Sequence, residues 1–333
     1  MTTHAREIFE DRRTSSSQRR STPAADSFRH EALLYGDLAT FLDATMAFIT
    51  EGLAQDAATL VFVNEAKINA LCAALGDQAQ DVTFADMALV GANPARIIPA
   101  WSDFVATHSG SDRPLRGIGE PIWAGRDPAE LAECHIHESL LNLAFAESPA
   151  FWLLCPYDTR ALDPAVLHGA HRNHTVVRER GDQRRSEHFS PSAADLFAAP
   201  LPPAPIGAAG LQFDRHRLAE VRQLVGEAAR AAGLGRSRAS DLLIAVNELA
   251  TNSVIHGDGA GTIIVWCEGG SILCEVRDRG RLDRPLAGRV RPSVAQPNGR
   301  GLWLVNQLCD LVQLRTLADG TVVRVHQHLP AAG

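Results

Sequence analysis

Two residue types that suit a magnesium–phosphate ligand lie one helical turn apart in the C-terminal third of this 333-residue chain. Glu248 and Asn252 belong to a segment with a helical pattern, so their side chains project side by side. A carboxylate beside a carboxamide suits Mg²⁺, which prefers oxygen ligands and keeps several waters while it bridges phosphates. Such a pair, taken singly, is also typical of a solvated helix face.

Two glycine-containing segments follow this pair along the chain. Asp278 ends an apolar, strand-like run, and Gly280 allows a ligand to press closely on the backbone beside that acceptor. Further on, Gly299 and Gly301 flank Arg300, in a segment flexible enough to close over phosphate and to open onto a helix N-terminus. Each segment alone is typical of an ordinary turn. Their order and spacing within one α/β domain favour a nucleotide site.

Together these segments resemble the N, G1 and G2 boxes of the GHKL (Bergerat) ATP-binding family and, within it, the RsbW-type anti-sigma-factor serine kinases. The resemblance covers about residues 210–330. It implies that Asn252 is a Mg²⁺ ligand and that Glu248 orients or deprotonates the attacking group. By the same resemblance, Asp278 contacts the adenine amino group, Gly280 makes room for the ring, and Thr321 is the adenine-side threonine. The remaining residues implied to bind the cofactor lie in the phosphate lid: Gly299, Arg300, Gly301 and Leu302.

The resemblance also implies a function. Proteins of this kind bind ATP with Mg²⁺, hold a sigma factor away from RNA polymerase and phosphorylate a serine or threonine of a STAS-type anti-sigma-factor antagonist. We therefore expect a serine/threonine kinase that acts in transcription regulation and stress response. Whether the chain forms a homodimer stays open.

Two alternatives to this function stay open, and a departure from the family pattern motivates the first. The usual G1 box is Asp-x-Gly-x-Gly, and Leu282 replaces its second glycine. The first alternative is a binding module that keeps the nucleotide fold without phosphoryl transfer. The second is a sensor histidine kinase, which needs a phosphoacceptor histidine on a long dimerising hairpin. No such hairpin pattern surrounds the upstream histidines His168, His171, His174 and His188.

The N-terminal half alternates strand-like and helix-like patterns. Short apolar runs suited to buried parallel strands lie at residues 60–64, 82–85, 115–119 and 152–155. Helical patterns lie between them at residues 38–53, 65–75, 94–107 and 128–145. This alternation predicts an α/β fold with a parallel sheet and helices on both faces.

Four segments of this half resemble the MEDS sensory domain, a RecA/KaiC-like module of bacterial regulators: residues 28–36, 119–123, 137–142 and 154–158. No glycine-rich phosphate loop follows the 60–64 strand, so we expect no P-loop catalysis there and interpret Lys67 as a solvated helix lysine. A small-molecule ligand could contact Trp123, Glu138 and Tyr157. A zinc site at Cys134 and His137 is disfavoured, because only two ligands share that helix face.

Composition and patterning predict four parts. Residues 1–27, rich in Arg, Ser and Thr, predict a disordered arm. Residues 28–177 form the sensory domain, residues 178–210 a charged and then Pro/Ala-rich linker, and residues 211–330 the ATP-binding domain. The last part predicts an α+β sandwich. Its helices are expected at residues 213–231, 237–256 and 301–309, and its strands at 262–268, 271–278, 311–317 and 321–328.

Charge and hydropathy exclude several classes of protein. The net charge of −7 argues against direct nucleic-acid binding. No apolar run is long enough for a membrane span and no secretory signal follows Met1, so we expect a cytoplasmic protein. The six cysteines form no C-x-x-C pair and are interpreted as small buried hydrophobes.

Overall fold

The computed structural model describes residues 27–190, 194–293 and 299–330. Residues 1–26 of the predicted arm and residues 294–298 of the predicted lid lie outside the described residues. Among the described residues, no helix is both long and apolar enough to cross a membrane.

The N-terminal half builds a seven-stranded sheet in the order β3-β2-β4-β5-β1-β6-β7. Its strands are β1 (Arg29–Tyr35), β2 (Ala58–Val63), β3 (Val82–Asp86), β4 (Leu115–Gly119), β5 (Phe151–Asp158), β6 (Val176–Glu179) and β7 (Asp182–Arg185). The strands from β1 to β6 pair in parallel, and β7 pairs antiparallel with β6. Every residue of β2 and β4 is buried, as expected for strands covered on both faces.

Helices cover both faces of this sheet. They are α1 (Leu38–Ala54), α2 (Glu65–Leu75), α3 (Met87–Val90), α4 (Ile97–Thr107), α5 (Pro128–Ala144) and α6 (Pro164–Asn173), with 3-10 turns at Gly76–Asp81 and Pro94–Arg96. Alternate strand residues enter different cores: Leu34 and Leu60 pack in the cluster that contains α4 and α5, whereas Leu33 and Val61 pack in the cluster that contains α1 and α2. The predicted parallel sheet with helices on both faces is confirmed.

Helix α5 has a well-defined N-terminus. Asp127 Oδ1 accepts a hydrogen bond from the Glu130 backbone N–H at 2.8 Å, and Glu130 Oε2 accepts one from the Asp127 backbone N–H at 3.2 Å. This reciprocal capping box, with Pro128 at the first helical position, fixes where the helix begins. The inward face of α5 is polar as well as apolar, because Glu133, Glu138 and their neighbours are buried.

The C-terminal half forms a five-stranded antiparallel sheet in the order β11-β12-β10-β9-β8. Its strands are β8 (Ala209–Asp214), β9 (Ala260–Glu268), β10 (Ser271–Asp278), β11 (Leu311–Leu317) and β12 (Gly320–His328). Helices α8 (Leu218–Ala231), α9 (Arg236–His256) and α10 (Arg300–Leu308) share one apolar core with the sheet, and a short helix α7 (Ala194–Ala198) precedes them. The predicted α+β sandwich is confirmed.

Two local predictions need correction or comment. The helix expected from residue 213 begins only at Leu218, because residues 209–214 form β8 and bury Phe213 against Gly261 on β9. Residues 182–185 fall in the predicted linker and form β7, whose four residues are all exposed and therefore carry no hydrophobic signal. The four-part division of the chain stays a prediction.

A buried ion cluster joins the two halves. Glu133 on α5 accepts hydrogen bonds from Arg289 at 3.0 Å and from Arg315 on β11 at 2.7 Å. All three side chains are at most 5% exposed. Removing one member of such a group leaves a buried charge without its partner, which typically lowers the free energy of unfolding by about 3–5 kcal/mol.

A second contact caps the end of α10 from the N-terminal half. The Arg96 guanidinium donates hydrogen bonds to the carbonyls of Asn306 (2.8 Å), Gln307 (2.9 Å) and Cys309 (2.8 Å). Asn93 adds a bond to the Asn306 carbonyl at 3.1 Å. These carbonyls are the acceptors that a helix C-terminus leaves without intrahelical partners, and a cation there also complements the helix dipole.

Candidate functional site

Helix α9 presents Glu248 and Asn252 at the flank of the C-terminal core. Leu249 and Ser253, which follow them directly, are buried against the sheet, while Glu248 and Asn252 are half-buried. Within the described part of the chain, neither side chain has a hydrogen-bond partner. The two groups are thus held by the helix and remain available to a ligand.

The carboxylate of Asp278, at the end of β10, lies against the same helix. Its Oδ2 atom accepts a hydrogen bond from the Ser253 hydroxyl at 2.6 Å, and its Oδ1 atom accepts one from the Gly280 backbone N–H at 2.8 Å. Ser253 is the neighbour of Asn252, so the first and second of the three sequence segments meet at α9. Each oxygen keeps a further lone pair with which to accept from a ligand.

Close backbone packing explains the glycines around Asp278. A methyl group on Gly280 would lie 2.5 Å from the His256 carbonyl oxygen, and one on Gly320 would lie 1.8 Å from the Asp278 carbonyl oxygen. Gly320 also has a φ of +146°, which L side chains rarely adopt. Backbone packing alone therefore favours glycine at position 280, whether or not an adenine ring binds beside it.

Thr321 fixes the loop that follows Asp278. The two residues are directly paired across β10 and β12. The Thr321 hydroxyl donates a hydrogen bond to the Gly280 carbonyl oxygen at 2.8 Å. The predicted adenine-side residues Asp278, Gly280 and Thr321 therefore form one bonded unit.

The start of α10 reaches the Glu248–Asn252 pair. Gly299, with a φ of +91°, precedes the helix and has no side chain to cap its first N–H groups. A methyl group on Gly301 would lie 2.9 Å from Glu248 Oε2 and 3.2 Å from Asn252 Nδ2. The predicted lid residue Arg300 is exposed, and Leu302 packs on the C-terminal core. A helix N-terminus beside a carboxylate and a carboxamide fits a magnesium-bound phosphate.

Leu282, the departure from the G1 pattern, fits the loop without a glycine's conformational freedom. It does not adopt a positive φ angle. Its carbonyl accepts a hydrogen bond from the Thr316 hydroxyl at 3.4 Å, and its side chain lines a small apolar recess with Leu302 and Leu314. The loop geometry is therefore compatible with leucine at this position.

A cavity of about 770 Å³ adjoins only part of this constellation. Gly257, Asp278, Gly320 and Thr321 line it, together with polar residues at the ends of β8, β9 and β10, but Glu248, Asn252 and Gly301 do not. The opening thus coincides with the predicted adenine side alone. On the phosphate side the site is defined by the side-chain and helix geometry, and the lid residues 294–298 lie outside the described residues.

The N-terminal half has polar groups of a different kind. We expected Lys67 to be a solvated helix lysine, and this prediction is wrong. Its ammonium donates hydrogen bonds to Glu120 at 2.5 Å and to the Tyr35 hydroxyl at 2.6 Å. Burial raises the pKa of Glu120, an effect that the Lys67 ammonium opposes. Lys67 therefore balances a buried carboxylate.

The residues predicted to contact a small molecule occupy different surroundings. Trp123 stacks under Arg126, whose guanidinium carbon lies 3.8 Å from the ring centroid. Glu138 and Tyr157 are fully buried in the interior. Cys134 is buried and donates to the Pro121 carbonyl oxygen at 3.4 Å. A small-molecule ligand for this half stays a prediction.

Two family models match the chain. Residues 29–175 match the MEDS domain, described as the MEthanogen/methylotroph, DcmR Sensory domain. Residues 211–326 match the histidine kinase-like ATPase domain. The chain therefore carries a MEDS domain followed by a histidine kinase-like ATPase domain. A domain of the second class implies nucleotide binding, generally with Mg²⁺. No curated protein matches the chain.

Several solved structures resemble part of the chain. The RsbU and RsbW domains of Rv1364c from Mycobacterium tuberculosis are 21% identical, with a TM-score of 0.28, over 36% of this chain and 32% of that one. The Acinetobacter baumannii histidine kinase AdeS is 11% identical, with a TM-score of 0.22, over 37% and 69%. The histidine kinase domain of the E. coli osmosensor EnvZ is 20% identical, with a TM-score of 0.24, over 37% and 90%. Likenesses of this strength carry no functional argument.

Proposed function

We propose that this protein is an ATP-dependent anti-sigma factor. In this proposal the C-terminal domain binds Mg-ATP, holds a sigma factor, and phosphorylates a serine or threonine of a STAS-type antagonist. The observation that supports it best is the approach of Gly301, at the start of α10, to both Glu248 and Asn252. That approach joins a candidate metal ligand, a candidate base and a phosphate-binding helix N-terminus in one place.

Each group has a role that its position supports. Asn252 holds the metal ion, the first N–H groups of α10 face the phosphates, and Asp278 accepts a hydrogen bond from the adenine amino group. Bound Mg-ATP supplies the phosphoryl group and the charge neutralisation that transfer needs. Glu248 orients the incoming hydroxyl and takes its proton as the new P–O bond forms and the bond to ADP breaks. Positioning and electrostatics provide most of the catalysis in such a reaction.

The contact between Arg96 and α10 supports regulation by the N-terminal half. Arg96 holds the C-terminal carbonyls of the same helix whose N-terminus faces the candidate phosphate site. A ligand of the N-terminal half would bias the C-terminal site only if it bound the two states of this contact with different affinity.

The histidine kinase alternative has less support. His168 and His171 lie on α6, a helix of ten residues that belongs to the N-terminal sheet domain. His174 follows that helix and is fully buried. Within the described residues, the segment before the ATPase domain therefore supplies no long hairpin that presents a histidine to the nucleotide.

Labelled ATP and a panel of purified STAS-domain proteins test the proposal. Glu248→Gln keeps the size of the side chain and removes its basicity, so we expect phosphoryl transfer to fall at least about 100-fold, in the range typical of general-base removal, while ATP binding is retained. Glu227→Gln, on the exposed face of α8, is the matched control and should transfer normally. Label on a histidine of this chain would support the histidine kinase instead. ATP binding without transfer to any STAS protein would support the binding module.

A further inference from the structure

Four buried side chains from distant parts of the sequence meet inside the N-terminal domain. His30 lies on β1, Glu138 on α5, Cys155 on β5, and His174 directly follows α6. Each is at most 1% exposed. One potential ligand atom from each residue lies within 4.8 Å of the others. Two imidazoles, a carboxylate and a thiol are the ligand types that bind Zn²⁺ and related transition-metal ions.

Three of the six separations between these ligand atoms are close to those around a tetrahedral ion, and all six are at most 4.8 Å. His30 Nε2 and His174 Nε2 each lie 3.2 Å from Glu138 Oε2, and Cys155 Sγ lies 3.4 Å from His30 Nε2. Zinc–nitrogen and zinc–oxygen bonds of about 2.0–2.2 Å and zinc–sulfur bonds of about 2.3 Å place neighbouring tetrahedral ligand atoms about 3.3–3.6 Å apart. Small side-chain rotations would bring the four atoms onto one ion.

Hydrogen bonds at the Nδ1 atoms orient both imidazoles so that their Nε2 atoms can bind a metal ion. His174 Nδ1 lies 2.8 Å from the Ala170 carbonyl oxygen, so Nδ1 carries a hydrogen and, in the neutral ring that binds metals, Nε2 carries the lone pair. His30 Nδ1 lies 3.2 Å from Asn142 Oδ1, and the Asn142 amide nitrogen is itself engaged with the Asn173 carbonyl at 2.8 Å. Both lone pairs therefore face Glu138. An oriented ring N–H partner of this kind is typical of metal-binding histidines.

The buried Glu138 carboxylate lies between the two imidazoles, with its Oε2 atom 3.2 Å from each Nε2 atom. Among the described residues, neither carboxylate oxygen nor His174 Nε2 makes a hydrogen bond of good geometry. A buried carboxylate opposed by imidazole lone pairs is unfavourable, whereas a divalent cation between them satisfies all three groups.

We propose that His30, Glu138, Cys155 and His174 bind one divalent transition-metal ion, with Zn²⁺ as the best fit. Four protein ligands complete a tetrahedral shell, which is the arrangement of a structural rather than a catalytic zinc ion. The ion ties α5 to β1, β5 and the end of α6. Because α5 also presents Glu133 to the C-terminal half, the same ion fixes the helix that joins the two halves.

Metal content and spectroscopy of the full chain test this proposal. The wild-type protein, stripped with a chelator and refilled, should take up one Zn²⁺ per chain. Refilled with Co²⁺, it should show tetrahedral d–d bands and a thiolate-to-cobalt charge-transfer band. Cys155→Ser should lose the charge-transfer band, and Cys134→Ser, which alters another buried thiol of the same core, should keep it. Asn142→Ala, which removes the partner of His30, should weaken Zn²⁺ binding about 10–100-fold.

Two results would overturn the assignment. One is a folded wild-type chain that takes up neither Zn²⁺ nor Co²⁺ in the presence of excess metal. The other is a Cys155→Ser chain whose Co²⁺ spectrum and Zn²⁺ affinity equal those of the wild type. Circular dichroism of each variant establishes that it is folded, and the wild-type measurement decides the question even where a variant does not fold.

Discussion

We expect Gly301→Ala to weaken nucleotide binding while it leaves the stability of the fold almost unchanged. The added methyl group would lie 2.9 Å from Glu248 Oε2 and 3.2 Å from Asn252 Nδ2, and both are ends of flexible side chains. These atoms can move aside, and alanine is a better helix residue than glycine by about 0.5–1 kcal/mol. We therefore expect the free energy of unfolding to change by less than about 1 kcal/mol. The methyl group and the displaced side chains would occupy the space of the magnesium-bound phosphates.

The expected loss of ATP affinity is at least about tenfold, or about 1.4 kcal/mol. Fluorescent-nucleotide titration measures the affinity, and chemical denaturation measures the stability. Gly226→Ala is the matched control: it lies on α8, where the nearest atom to an added methyl group is Leu243 Cδ2 at 3.9 Å. It should stabilise the protein and leave ATP binding unchanged. A Gly301→Ala chain that is stable and binds ATP as the wild type does would refute our placement of the phosphates.

Two further predictions concern stability. Glu133→Ala should lower the free energy of unfolding by about 3–5 kcal/mol, because it leaves two buried arginines without their carboxylate partner. Glu147→Ala, an exposed change beyond the end of α5, should have no measurable effect, and equal denaturation curves for both variants would contradict this account. Burial, assisted by Arg324, lowers the pKa of His326 from its usual value near 6.5 to about 4. The contribution of the neutral His326 side chain to the free energy of unfolding is therefore complete above pH 6.5. It is lost as the pH falls toward 4, by up to about 3 kcal/mol. His326→Gln should flatten the stability profile in that window, and an unchanged profile would rule out this origin.

The sequence predicts the elements of the C-terminal domain well because their signals are local. The apolar spacing in α9 and the uninterrupted run of β10 identify these elements without reference to any partner. β8 was missed because its pairing with β9 depends on residues about 50 positions later, and its exposed face resembles a linker. The hairpin strand β7 was missed because its four residues are all exposed and carry no hydrophobic signal.

The polar groups that depend on tertiary contacts could not be predicted. Glu133 has the pattern of a solvated helix residue until Arg289 and Arg315 are brought to it by the other half of the chain. The requirement for glycine at position 320 comes from the Asp278 carbonyl on a neighbouring strand. The buried His–Glu–Cys cluster draws on residues from four separate elements, and no spacing within the sequence connects them.

Calorimetric titration of the full chain with ATP in the presence of Mg²⁺ tests the central claim most directly. We predict one bound nucleotide per chain, binding that weakens when Mg²⁺ is removed, and an affinity at least about tenfold lower in Asp278→Asn, which loses the charged acceptor for the adenine amino group. A folded wild-type chain that binds no ATP, or an Asp278→Asn chain that binds it equally well, would contradict the account.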